Sequence, residues 1–264
     1  MTAIMVMNTM ESIIMTRQGV PFLRIRTILT LLGLLALVLP MRAEAGEYNL
    51  SIAREPVNIT GNTVKKITVN GTIPGPTLHF TEGEDVTIHV KNNMDEDTSV
   101  HWHGLLLPGE MDGVPGFNGY PGIKPDETFT YHFKIRQAGT YWYHAHARSF
   151  EQVARGLYGA LIVEEAEAPE VDREEVLILD DWLLDPETAQ INPDFTSAHS
   201  RSHAGRMGNF VATNGQYGLA IDVRQNERLR LRLINAANAR IFVVDIAGME
   251  GWTIALDGMP LAQP

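Results

Sequence analysis

From Tyr48 onward, apolar and polar residues alternate in short runs. Val86, Ile88 and Val90 alternate with Thr87, His89 and Lys91, and Phe129, Tyr131, Phe133 and Ile135 alternate with Thr130, His132 and Lys134. Successive side chains of a strand leave opposite faces, so both runs predict half-buried strands. Leu229, Leu231 and Leu233, interleaved with Arg228, Arg230 and Arg232, predict a third strand with one face buried and the other basic. Turn signals separate the runs at Asn70-Gly71, Pro74-Gly75-Pro76, Glu82-Gly83, Pro121-Gly122 and Asn214-Gly215. No long segment has helical spacing. The pattern predicts an all-β protein, an antiparallel sandwich or barrel with Greek-key connections.

The acidic, alanine-rich stretch from Glu164 to Glu170 follows the apolar run Leu157 to Val163 and precedes a new strand from Val176, and reads as a linker. An internal repeat supports a division there. Asn70-Gly71, Glu84, the strand Val86 to Val90 and Asn92 recur as Asn214-Gly215, Glu227, the strand Leu229 to Leu233 and Asn235, with one residue deleted. The expected organisation is a leader over 1–45, a first β domain over 46–166, and a second, incomplete β domain over 171–264. The same shift sets His101-Trp102-His103 against Val244-Asp245-Ile246. The second copy should therefore keep the strand and lack the histidines.

Residues Ile28 to Leu39 form an apolar run preceded by Arg17, Arg24 and Arg26 and followed by Pro40 and Ala43-Glu44-Ala45. These features read as a secretory signal cleaved before Gly46, and place the protein in the periplasm or outside the cell. The alternative is an uncleaved anchor, but the run falls short of the ~20 apolar residues that cross a bilayer. Ile25 separates Arg24 from Arg26, which favours the general secretory route over a twin-arginine one. No other membrane association is expected.

Composition narrows the chemistry. In 264 residues, 44% hydrophobic and 20% charged, there is enough apolar material for a core. A formal net charge of −11 argues against a nucleic-acid partner, which needs a positive surface. The chain has no cysteine, which excludes disulfides, thiolate metal sites and a cysteine nucleophile. Any metal must be held by nitrogen or oxygen.

Four of the nine histidines form two His-x-His pairs, His101-Trp102-His103 and His144-Ala145-His146, each at the end of a strand-like segment. Side chains at i and i+2 of a strand share a face ~6.6 Å apart. Two neighbouring strands would thus offer four imidazoles on one side, a spacing suited to neighbouring metals bridged between strands. Neutral imidazole suits copper, zinc, iron and nickel, and the affinity order puts Cu(II) highest. His79, His89 and His132 are expected to be solvated, and His199 and His203 to lie in a loop. A barrel-type metal hydrolase using His-x-His would need alternating strands and helices, which the chain lacks.

His101-Trp102-His103-Gly104, Met111-Asp112-Gly113-Val114-Pro115 and Gly139-Thr140-Tyr141-Trp142-Tyr143-His144-Ala145-His146 resemble the first cupredoxin domain of multicopper oxidases, the laccase and copper-resistance oxidase family. Asn70 to Pro76 is similar to that domain's opening segment. The resemblance runs from Tyr48 to Pro264 and implies tandem cupredoxin-like Greek-key sandwiches, the second incomplete. It implies that His101 ligates a type 2 copper, that His103, His144 and His146 ligate the type 3 pair, and that Asp112 helps deliver protons to dioxygen. Family chemistry is one-electron oxidation of a small donor, phenolic or metal-ion, coupled to reduction of dioxygen to water. The type 1 copper of the family needs a cysteine, absent here. The resemblance therefore implies half of a trinuclear copper site, in a fragment whose partner is a missing C-terminal cupredoxin domain. A non-catalytic copper-sequestering protein is the competing reading.

Overall fold

The structure is a computed structural model that describes residues 3–7, 46–202 and 205–263. The signal-like features over 17–45 and His203 lie outside the described residues. The first part of the chain contains β1 (Ala3–Met7), β2 (Gly46–Asn58), β3 (Thr63–Val69), β4 (Gly75–Thr81), β5 (Asp85–Asn92), β6 (His101–His103), β7 (Thr128–Lys134), β8 (Gly139–His144) and β9 (Tyr158–Glu164). The second contains β10 (Arg173–Trp182), β11 (Phe210–Thr213), β12 (Leu229–Asn235), β13 (Gly251–Leu256) and β14 (Met259–Pro260). The helical segments among the described residues are short: a 3-10 turn at Gly109–Met111, α1 (Ser149–Gln152) and α2 (Ala198–Ser202). The last replaces the loop expected around His199. None is long and apolar enough to cross a membrane.

Two four-stranded sheets, β3-β2-β5-β7 and β4-β9-β8-β6, make the first sandwich. The predicted alternation sets their inner faces: Val86, Ile88, Val90, Tyr131 and Phe133 from one sheet share a core with Phe80, Trp102, Tyr143 and Leu161 from the other. Each such side chain contributes roughly 1.5–3 kcal/mol on burial. The second unit is one six-stranded sheet, β11-β10-β12-β1-β13-β14, in which Ala3–Met7 lies between β12 and β13.

The sequence repeat is reproduced bond for bond. Asn70 and Asn214 both take positive φ, 52° and 49°, followed by Gly71 and Gly215 at 80° and 73°, the backbone that Asn-Gly favours in tight hairpin turns. Asn70 Nδ2 donates to the Asn49 carbonyl, and its Oδ1 accepts from the Ser51 amide. Asn214 makes the same two bonds to Val176 and Ile178. Glu84 accepts from the Thr81 amide and Glu227 from the Arg224 amide, each at 2.8 Å. Asn92 caps the turn to Glu96, as Asn235 caps the turn to Arg240. In each copy one long strand, β2 or β10, pairs parallel to β5 or β12 and antiparallel to β3 or β11.

Two expectations fail. The basic face of β12 is buried: Arg230 and Arg232 are 1% exposed. Arg230 donates to Glu165 and Glu174, and Arg232 donates to Glu174 and to Thr140 of β8. Alternation shows that two faces differ but cannot tell water from carboxylates distant in sequence. Residues 241–246 form no strand, and Ile241 and Val243 are 90% and 96% exposed. Among the described residues no strand lies beside them as β8 lies beside β6, and an alternating sequence needs such a partner.

The second sheet covers the outer side of the first sandwich. Ile178, Ile234 and Ala236 join the main core. Tyr158 donates to Asp180 at 2.6 Å, and Lys66 Nζ stands 3.4 Å from the centre of the Trp182 ring. Burial pulls the Lys66 amine down to about 7 and pushes the Asp180 carboxyl up to about 7.

Candidate metal centre

β6 and β8 are adjacent and antiparallel, with His101 opposite His144 and His103 opposite Trp142. Directly opposed residues of an antiparallel pair share a face. The register therefore brings both His-x-His pairs together. Ring centres of His101 lie 5.6 Å from His103, 5.3 Å from His144 and 5.5 Å from His146. Nitrogens of His101, His103 and His144 all fall within 4.8 Å of one another. His146 lies just past the end of β8, its ring 6.4 Å from that of His144 and 5.5 Å from that of His101.

The protons on these rings are assigned by their partners. His101 Nδ1 lies 2.7 Å from the main-chain carbonyl of Asp112, which can only accept, so Nδ1 carries the proton and Nε2 presents a lone pair. His144 Nδ1 likewise donates to the Ala145 carbonyl at 2.9 Å. His144 Nε2 is left to accept from His103 Nδ1 at 3.2 Å. Burial drives the His144 imidazole down to about 3, and the neighbouring His101, His103 and His146 rings push in the same direction. His103 is also lowered, first by burial and then by His101. His144 is thus held neutral, the state in which imidazole binds metal. Trp142 packs against this pair, its ring centre 4.2 Å from His144 and 5.3 Å from His103.

Asp112 reaches the site through its backbone. It ends the Gly109–Met111 turn at φ −69°, ψ −21°, and Gly113 follows at φ 81°. A Cβ on Gly113 would lie 1.8 Å from the Val100 carbonyl oxygen and 3.0 Å from His101 Cα. Only glycine lets the loop pass this close to β6 and bring the 112 carbonyl to His101. The Asp112 carboxylate Oδ2 stands 3.5 Å from the same nitrogen, beyond direct hydrogen bonding.

Three other histidines hold partners at the surface. His79 Nδ1 meets Glu164 at 3.1 Å, His89 Nε2 meets Glu47 at 3.3 Å, and His132 Nδ1 meets Thr87 at 3.1 Å. Ser99 was not anticipated by the sequence reading, yet its buried hydroxyl accepts from the amides of His146 and Ala147.

The donor set fits copper. Two imidazole nitrogens 3.2 Å apart match the spacing of two ligands on one ion when metal–nitrogen bonds are about 2 Å. The three-nitrogen group contains no carboxylate or thiolate, a set that favours Cu(II) among the divalent ions.

Comparison with known proteins agrees with this chemistry. The multicopper oxidase family model matches residues 51–168. The copper resistance protein A homolog of Pseudomonas syringae pv. tomato is 35% identical over 258 residues, covering 81% of this chain and 43% of that protein. Among solved structures, a multi-copper oxidase from Pseudomonas thermotolerans aligns with a TM-score of 0.71 at 33% identity, over 75% of this chain and 48% of that one. The blue copper oxidase from Nitrosomonas europaea aligns at 0.68 and 31% identity, over 84% of this chain and 70% of that one. The chain therefore spans less than half the length of the first two relatives. A 31% identity sustained over 70% of a solved relative, with one fold throughout, exceeds what two unrelated β sandwiches would share, and the chain belongs to the multicopper oxidase family.

Proposed function

We propose that this chain holds copper as the N-terminal part of an exported oxidoreductase that couples one-electron oxidation of a small phenolic or metal-ion donor to reduction of dioxygen to water. The observation that carries the reading is the convergence of His101, His103 and His144 nitrogens within 4.8 Å, with His146 beside them, on two neighbouring strands of a multicopper oxidase chain. His101 is assigned to a type 2 copper, and His103, His144 and His146 to the type 3 pair. Bound copper would supply one-electron exchange with dioxygen. The protein's own contribution is orientation and proton placement. The Asp112 carbonyl fixes the His101 tautomer, burial keeps His144 neutral, and the Asp112 carboxylate, 3.5 Å from the same nitrogen of His101, is assigned the delivery of protons to dioxygen. The remaining ligands and a type 1 site are assigned to a further cupredoxin domain, since these 264 residues contain no cysteine. Export to the periplasm or beyond is supported by the signal-like pattern of residues 17–45.

Titration with Cu(II) followed by electron paramagnetic resonance tests the assignment. Tetragonal copper should appear, and should be lost when His101 and His103, or His144 and His146, become Ala. The chain alone should be colourless at the blue-copper wavelength and inactive as an oxidase, and a C-terminal cupredoxin domain supplied in trans should restore both. Copper binding that survives all four substitutions would refute the site. The absence of any thiolate favours one second reading, a copper-holding protein without turnover. Tight binding with no activity even beside the complementary domain would establish it.

A further inference from the structure

The register of β6 with β8 pairs His101 with His144, and continuing it by two residues sets Ser99 opposite His146. The backbone ladder has stopped by then. In its place the Ser99 hydroxyl accepts from the His146 amide at 3.0 Å and from the Ala147 amide at 2.7 Å. One hydroxyl oxygen has two lone pairs, so a single buried side chain takes both donors as the chain leaves the sheet. Ser99 itself sits on a fixed base. Thr98 exchanges both backbone bonds with Ile123, Thr98 Oγ1 bonds to Gln152 at 2.8 Å, and Gln152 Nε2 donates to the Asp97 carbonyl at 2.8 Å. Thr98, Ser99 and Gln152 are all fully buried. The segment 97–99 is thereby locked to the segment that carries His146.

We infer that Ser99 is a positioning residue for His146, setting its imidazole beside the His101, His103 and His144 group so that it can complete the type 3 pair with His103 and His144. The inference rests on the copper reading above. Without the hydroxyl, the amides of His146 and Ala147 lose their acceptor, and the 145–148 turn must move to find another. The i, i+2 spacing of His144 and His146 would then no longer fix the second ring. Among the described residues no other side chain bonds to the His146 amide.

The test uses the full chain and Cu(II) alone, with wild type, S99A, H146A and the pair S99T and S99V, which share a shape and differ in the hydroxyl. S99A and S99V should keep the copper that His101 holds, and should weaken the copper that depends on His146 by on the order of tenfold or more, as H146A abolishes it. S99T should restore the wild-type titration and electron paramagnetic resonance spectrum. Amide hydrogen exchange supplies a metal-independent reading: His146 and Ala147 should exchange at least about tenfold faster in S99A and S99V than in S99T. If S99A does not fold, the S99T and S99V pair decides alone. Equal titrations for S99T and S99V, or unchanged amide exchange in both, would overturn the role of Ser99. A wild-type chain that binds no copper through these histidines, while exchange still depends on the hydroxyl, would overturn the copper reading and leave Ser99 as a backbone anchor only.

Discussion

His101 donates from Nδ1 to the main-chain carbonyl of Asp112 at 2.7 Å, while the carboxylate of the same residue stays 3.5 Å away. The group that sets the His101 tautomer is therefore one that no substitution at position 112 removes. D112A should leave copper affinity at the His101 site unchanged, whereas G113A should weaken it on the order of 10- to 100-fold by forcing the loop off β6. G113A should also cost about 1–2 kcal/mol from its left-handed backbone alone. Isothermal titration and urea unfolding of the two variants check both statements. Equal losses in D112A and G113A would contradict the backbone assignment.

Acid should destabilise the protein through His144. Its folded value of about 3 lies below the unfolded value near 6.5, so between these limits the unfolded chain binds the extra proton. The contribution is complete above pH 6.5 and is lost as pH falls toward 3. Asp180 runs the other way: it is raised to about 7, so its contribution is present below pH 3.8 and lost as pH rises through 7. The two offset each other in the wild type across much of this window. The expected observation is a difference: unfolding free energies of wild type and H144F should diverge by about 1.4 kcal/mol per pH unit between pH 6 and pH 4. A pH-independent difference would contradict the neutral, buried His144.

Arg230 links the six-stranded sheet to the end of β9, bidentate to Glu165 and also bonded to Glu174 of its own sheet. R230A should cost about 3–5 kcal/mol, because it strands the Glu165 carboxylate, which is shielded from water. R228A, on the exposed neighbouring pair with Glu170, should cost less than about 1 kcal/mol. Urea denaturation of both variants gives the comparison.

The acidic connection should be cut unevenly. Glu165 is pinned by Arg230 with its side chain 10% exposed, whereas Glu167 and Glu170 are open to solvent. A glutamate-specific protease at low dose should cleave first after Glu167 or Glu170, and R230A should add cleavage at Glu165. First cleavage inside β5 or β9 would contradict a boundary here.

The strands of the first sandwich and the two Asn-Gly hairpins were legible because one face met a core and the other met water, which is the contrast that alternation encodes. Arg230 and Arg232 were misread for the same reason, since their partners, Glu165, Glu174 and Thr140, are distant in sequence. The four histidines were legible from their i, i+2 spacing. The Asp112 carbonyl was not, because a backbone atom leaves no mark in composition. Its trace was Gly113, which reads equally well as an ordinary turn. Ser99 could have been found only by extending the β6–β8 register beyond the point where the strands part.

The bonds shared by Asn70 and Asn214, Glu84 and Glu227, and Asn92 and Asn235 separate what the fold requires from what the chemistry requires. An engineer wishing to furnish the second copy with a metal centre would gain nothing by writing His-x-His at positions 244 to 246, where the chain lies open and unpaired. The first task would be to supply a neighbouring strand, because ligands on a lone segment have no partner row to converge with.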